Sequence, residues 1–159
     1  MKILEGVIEV DSVPDLLKKI GNCVITFVNA DYVVDIEHVE FAAKKALKAW
    51  NEGRRVAKSL SMEILLYCAA RRQISDAIEM GLKEGRNEVV AVVLEDECLE
   101  KLKEIGFKEK PVLRLDDEKV ERIKRFFGIS NEELSIAGKE KLSLLVREKI
   151  ALFDVFKGT

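Results

Sequence analysis

Val89-Val90-Ala91-Val92-Val93-Leu94 is an unbroken run of six apolar residues, four of them β-branched. Such a run predicts a strand covered on both faces, in the middle of a sheet with helices packed against it. Upstream, Lys2–Val10 is β-rich and runs into Asp11-Ser12, a strand followed by a helix cap, with Pro14 tolerated in the first turn of a helix bearing Leu16, Leu17 and Ile20. Residues 23–28 read as a second strand. Val39, Ala42, Ala43, Ala46, Leu47 and Trp50 fall on one helical stripe that Gly53 ends. Met62–Ala70 is apolar almost all round except at Glu63, the mark of a helix buried on most sides. Ile74, Ala77, Ile78 and Leu82 suggest a further helix, opened by Arg71-Arg72-Gln73. Downstream of the central strand, Asp96 is placed to cap a helix ending at Gly106. Pro111–Leu115 is expected as an edge strand, because its first residue cannot donate to a ladder. Asp116 or Asp117 caps a helix closed by Gly128, Ser130 and Glu133 are spaced as a capping box, and Leu142–Phe156 is the last helix. The fold class is α/β (α+β): one domain over 1–159, a mixed sheet of about four strands, and six or seven helices.

Composition narrows the function classes. The chain has 159 residues, 48% hydrophobic and 35% charged, with Lys+Arg 27 against Asp+Glu 29 and a net charge of −2. This is no disordered polymer and no polycation, so any contact with nucleic acid must come from a local cluster of Lys and Arg. Dense, balanced charge favours, weakly, a heat-adapted source. The three cysteines, Cys23, Cys68 and Cys98, are far apart, odd in number and without a CxxC pair, so buried free thiols are expected, with no zinc knuckle and no disulfide framework. The N-terminus, Met1–Gly6, carries no signal-peptide core and no run approaches membrane-spanning length; the chain is expected in the cytoplasm, with no membrane partner.

The sequence contains no phosphate-binding loop, dinucleotide fingerprint, metalloprotease motif or nucleophile elbow. His38 is the only histidine. It is expected as a surface or capping residue at a helix start, and with Cys68 or Glu63 it leaves only a thin case for a small α/β enzyme. Glu63 reads either as a first-turn acid favoured by the helix dipole, or as a half-buried carboxylate paired with Arg71 or Arg72 or holding a ligand-binding loop. Arg54, Arg55, Lys58, Arg71 and Arg72 bracket its helix. They form a solvated ion-pair surface, or, where the two loops meet, a positive patch for an anionic ligand such as phosphate. Gln73 could read a base edge. Tyr67 or Phe41 could stack on an unpaired base, although core packing suits both rings better. Leu142, Leu145, Val146, Ile150, Phe153 and Phe156 make the last helix apolar over a wide face, one side for the sheet and one for another protein.

Asn29-Ala30-Asp31, the helix with His38, Ser59-Leu60-Ser61-Met62-Glu63-Ile64-Leu65, and Arg72-Gln73-Ile74 followed by Ile78 resemble the small regulatory subunit of the KEOPS (EKC) complex, the PRPK-binding protein family. The likeness is strongest over residues 27–95 and recurs over Val146–Leu152. It implies a non-catalytic subunit with no cofactor and no metal, in the complex that makes the threonylcarbamoyl modification on tRNA. Such a subunit binds the kinase-like ATPase directly and the metal-dependent transferase indirectly, and helps recruit the tRNA 3′ CCA end. Arg72, Gln73 and Ile74 match the family's Arg-Gln-Ile, and Glu63 matches its helix glutamate, Glu63 and Ile74 being supporting residues. Arg72 with Lys58 and Arg71 is expected on tRNA phosphates, with Arg54 and Arg55 completing the basic set. Val146, Ile150 and Phe153 are expected to face the ATPase. Ala69-Ala70-Arg71 departs from the family's Ser-Gly-type pair and polar residue, which removes a hydroxyl. A small-molecule-binding regulatory domain without RNA is the remaining alternative.

Overall fold

The computed structural model describes residues 1–157, the side chain of Lys139 aside. Four strands, β1 (Lys2–Val10), β2 (Ile25–Asn29), β3 (Gly85–Val93) and β4 (Lys108–Glu109), form one sheet in the order β2-β3-β1-β4. β3 contains the valine run and is central, as its composition requires. The fold class is as the sequence implies, but the sheet is antiparallel at every pairing rather than mixed. β1 and β2, joined by α1 (Val13–Ile20), do run the same way. They never pair, because β3 lies between them and is antiparallel to both.

The expected strand at 111–115 is replaced by the two residues of β4. The Glu5 carboxylate accepts from the amides of Val112 (2.7 Å) and Leu113 (3.2 Å), which removes two donors that a ladder would need. Gly6 lets β4 approach: a Cβ there would overlap the Lys108 carbonyl and the Phe107 ring.

Helices cover both faces of the sheet. On one side α1 and α5 (Leu99–Glu104) pack on Phe27, Val89, Ala91 and Val93; on the other Val28, Val90 and Val92 meet a larger core. That core is built from α2 (Ile36–Asn51), α3 (Leu60–Ala69), α6 (Asp117–Phe127), α7 (Asn131–Ala137) and α8 (Leu142–Phe156). α4 (Ile74–Ala77) is only one turn, continued by a 3-10 turn. Eight α-helices are therefore present among the described residues, against six or seven expected. Asp116 caps α6 and the Ser130–Glu133 capping box opens α7, both as read from spacing. Asp96 does not act as a side-chain cap; it begins a 3-10 turn leading into α5.

Two expectations about single residues fail. Cys23 and Cys98 are joined in a disulfide across 75 residues, and only Cys68 is a free, buried thiol. Sequence distance hid the pair, because β2 and the turn after β3 become neighbours only once the sheet forms. His38 is fully buried rather than at the surface. The Val34 amide donates to Nδ1 (3.3 Å), so the proton sits on Nε2, which donates to the Cys68 carbonyl (2.9 Å). Burial holds its pKa down at about 4 against 6.5 for the free side chain.

That burial has a pH signature. Between 6.5 and about 4 the unfolded chain takes up a proton that the folded chain refuses, so the His38 contribution to stability is complete above pH 6.5 and lost as pH falls towards 4. The loss is about 3 kcal/mol. Urea unfolding from pH 7 to 4 measures it; His38→Gln, which keeps a donor for the Cys68 carbonyl, should flatten this part of the profile.

Candidate nucleic-acid interface

The buried α3 organises the site. Ser59 caps it by accepting from the Met62 amide, and Glu63, in the first turn, is fully buried. Neither Arg71 nor Arg72 is its partner. Its carboxylate accepts from the Val56 amide (3.0 and 3.2 Å), the Ala57 amide (2.8 Å) and the Lys157 ammonium (3.0 Å). The carboxylate thus ties down a loop, with a lysine 94 residues further along the chain as counter-charge. A buried carboxylate needs such company, since an unpaired one would cost several kcal/mol.

Lys157 also lies over the Tyr67 ring, 4.4 Å from its centroid. The Tyr67 hydroxyl donates to Asp154 (2.5 Å), whose same oxygen accepts from Arg54 (3.3 Å). Burial and then the Asp154 contact push the Tyr67 phenol above its ordinary pKa. Tyr67 is wholly enclosed and unavailable to a base. At Asp154 burial works to raise the carboxyl, but hydrogen bonds from Tyr67 and Arg54 outweigh it and hold the group below the usual carboxylate range.

These contacts fix the loop after α2. Its amides at 56 and 57 are tied to Glu63, Arg54 is tied to Glu52 (2.8 Å) and Asp154, and Arg55 lies 4.3 Å over Trp50. Arg54 and Arg55 consequently meet Arg72 in one open cleft of about 470 Å³, completed by Val56, Asp154, Val155 and Lys157. The two basic loops converge there, but not with every expected member. Arg71 turns away: it stacks 4.3 Å over Phe126 and donates to the Phe126 carbonyl. The turn responsible is Ala70, which ends α3 in the left-handed region (φ 51), the only non-glycine residue to do so among those described. Lys58 is exposed on the loop, outside the cleft lining, and Gln73 is exposed at the start of α4.

Arg71 instead lines an apolar groove of about 590 Å³ with Ala70, Arg125, Phe126, Leu152 and Phe156. Val146 and Ile150, expected at a partner surface, face inward and are fully buried, and Phe153 packs edge-on against Tyr67. The exposed apolar residues of α8 are Leu144, Leu152 (48%), Val155 and Phe156 (60%). The helix does have two apolar sides, but the inner one packs chiefly on α2 and α3 rather than on the sheet, and Phe156 of the expected stripe lies on the outer one.

The groups considered for catalysis are otherwise engaged. Cys68 is enclosed, burial pushes its thiol up to about 12, and His38 touches its carbonyl rather than its sulfur. Among the described residues, no group of three His, Cys, Asp or Glu side chains is placed to hold a metal, and no helix is long and apolar enough to cross a membrane.

Sequence reasoning missed Asp154 and Lys157. A signal existed: Lys157 continues the inward-facing series Val146, Ile150 and the partly buried Phe153 at helical spacing, which places a cation on an apolar stripe.

Fold and site together define an antiparallel α+β protein whose cationic cleft is braced from within by a buried acid–lysine pair, with an apolar groove beside it. The family model for "Kinase binding protein CGI-121" matches residues 8–154, and the chain belongs to that family. It is 36% identical over 90 residues to the KEOPS complex subunit Cgi121 of Pyrococcus abyssi, a match covering 54% of this chain and 53%, about half, of that relative. It is 33% identical over 133 residues to the regulatory protein Cgi121 of Methanocaldococcus jannaschii, covering 81% of this chain and 82% of the other.

The brace can be tested directly. Lys157→Met leaves a buried carboxylate without its counter-charge and should cost about 3–5 kcal/mol, seen as a fall of about 10 °C in Tm. Adding Glu63→Gln should recover part of that loss, and a double-mutant cycle on urea midpoints measures the coupling.

Proposed function

We propose that this chain is a non-catalytic regulatory subunit of a KEOPS complex, which holds the 3′ CCA end of tRNA in the cationic cleft and docks on the kinase-like ATPase subunit through the groove beside α8. The metal-dependent transferase is then a partner only within the same complex. The family name and the two relatives support the regulatory and kinase-binding parts. The observation that carries the RNA part is the convergence of Arg54 and Arg55, from one loop, with Arg72, from another, in a single cleft on a protein of net charge −2. Guanidinium groups gathered against the overall charge suit a polyanion, and an open cleft suits an unpaired strand better than a duplex. In this reading Arg72 contacts phosphate from the cleft wall, Lys58 and Gln73 lie outside the cleft lining, and Arg71 lines the apolar groove. There, Leu152 and Phe156 form an apolar floor edged by Arg71, Arg125 and Lys149, which suits an apolar, acid-flanked surface on the ATPase.

Arg54→Glu with Arg72→Glu should reduce tRNA retention on a filter at least about 100-fold without changing the circular dichroism spectrum. Removing the terminal CCA should weaken binding comparably. Three phosphate contacts on a single strand give a slope of about −2 in log affinity against log salt. Retention that ignores both the arginines and the CCA rejects the site.

Docking is tested separately. Leu152→Ser with Phe156→Ser, which adds no charge beside the cationic cleft, should abolish co-purification of the kinase-like subunit, a loss of at least about 30-fold in affinity, while tRNA retention is unchanged. Undiminished co-purification would move the interface elsewhere.

A further inference from the structure

We propose that Ser75 is a phosphorylation site for an arginine-directed serine kinase, and that Arg71, Arg122 and Arg125 receive the phosphate in the cleft between α4 and α6. The inference does not depend on the RNA reading above.

Arg71-Arg72-Gln73-Ile74-Ser75 puts arginine at positions −4 and −3 from a serine. No other serine or threonine of the chain has arginine three residues before it. Basic residues at those positions form the charge pattern by which arginine-directed kinases select their substrates. Arg72 and Ser75 are both exposed. Ser75 belongs to α4, a single turn with no side-chain cap at Gln73, so the segment opens readily into the extended form a kinase binds. Its hydroxyl has no hydrogen-bond partner among the described residues. In the transfer the Ser75 oxygen attacks the γ-phosphorus of ATP and the bond to the bridging oxygen breaks. ADP departs with that electron pair, and the hydroxyl proton passes to the catalytic base of the kinase.

Ser75 also lines an open cleft of about 390 Å³ together with Arg71, Arg122 and Arg125. Arg125 has no hydrogen-bond or ion-pair partner among the described residues. Arg122 donates to the Asp31 carbonyl (3.2 Å) and lies 3.5 Å from Glu118, an acid 86% exposed and so weakly held. Arg71 donates through one nitrogen to the Phe126 carbonyl. A guanidinium carries about five N–H donors, so capacity remains on all three. Against them stand Asp76 and Glu79, the latter accepting from the Tyr32 hydroxyl (2.9 Å). Three guanidinium groups against two carboxylates leave the cleft cationic while Ser75 is bare. A phosphoserine brings a charge of about −1.5 to −2 and acceptor oxygens that match forked guanidinium donors. Arg122 and Arg125 belong to α6, so a phosphate held there fastens α4 to α6.

Incubating the full chain with an arginine-directed serine kinase and ATP labelled at the γ-phosphate tests acceptance. About one phosphate per chain should appear on Ser75 by tandem mass spectrometry; Ser75→Ala should lose it, and Arg72→Ala should slow it at least about tenfold. The phosphorylated chain tests reception. It should melt about 3 °C above the unmodified chain, and its phosphorus NMR signal should titrate about one pH unit below the ordinary value near 6. Both shifts should vanish in Arg122→Ala with Arg125→Ala, which leaves the recognition sequence intact and is phosphorylated at the same rate. If that variant does not fold, Arg125→Ala, at an exposed side chain, should by itself remove about half of each shift. Absence of phosphate from Ser75 overturns the proposal. Phosphate on Ser75 with an unshifted titration and melting point overturns it too, because the arginines then receive nothing. Shifts that persist without Arg122 and Arg125 assign the phosphate to other groups and likewise overturn it.

Discussion

A carboxylate with no access to water sits at the start of α3, and the site takes its shape from how that charge is satisfied. Glu63 needs donors, and within reach there are the two backbone amides of a loop and one ammonium from the other end of the chain. Meeting that need folds the loop after α2 into one conformation and pins the last turn of α8, where helices ordinarily fray. Tyr67 and Asp154 extend the same chain of contacts to Arg54. The charged residues facing solvent are therefore arranged by a charged residue that is not.

Ala70 does the complementary work on the other loop. By entering the left-handed region at the end of α3 it sends consecutive arginines to opposite sides, Arg72 into the cationic cleft and Arg71 into the apolar groove. A non-glycine residue in that conformation costs about 1 kcal/mol. The two concavities share their walls, residues 70–72 and 152–157, so a polyanion on one side and a protein on the other would each be read by the same two short segments.

Much of this architecture is legible along the chain. The valine run places β3 in the middle, the stripe from Val39 to Trp50 gives α2, and the caps at Ser12, Asp116 and Ser130 lie where spacing puts them. The arginine pairs around α3 also mark the neighbourhood of the cleft. What stays hidden is whatever depends on contacts remote in sequence. Lys157 and Glu63 are 94 residues apart and Asp154 and Tyr67 are 87 apart, so no local pattern couples them. Arg71 and Arg72 are equivalent as letters and are told apart only by one backbone dihedral. His38 misleads because a polar residue near a helix start usually faces water, whereas here α3 supplies a carbonyl for it in the interior. Pro111–Leu115 misleads because a side chain, Glu5, competes for the amides that a ladder would use.

The cross-link between Cys23 and Cys98 closes a ring that contains the segments bearing Arg54, Arg55, Arg71 and Arg72, although its sulfurs lie on the opposite side of the sheet from α3. Closing a loop of that length removes conformational freedom from the denatured chain worth about 4 kcal/mol. Dense, balanced charge of the kind this chain carries favours, weakly, a heat-adapted source. Even a heat-loosened molecule would then keep both arginine-bearing loops stitched into one covalent hoop, unable to drift apart while the rest of the chain reassembles.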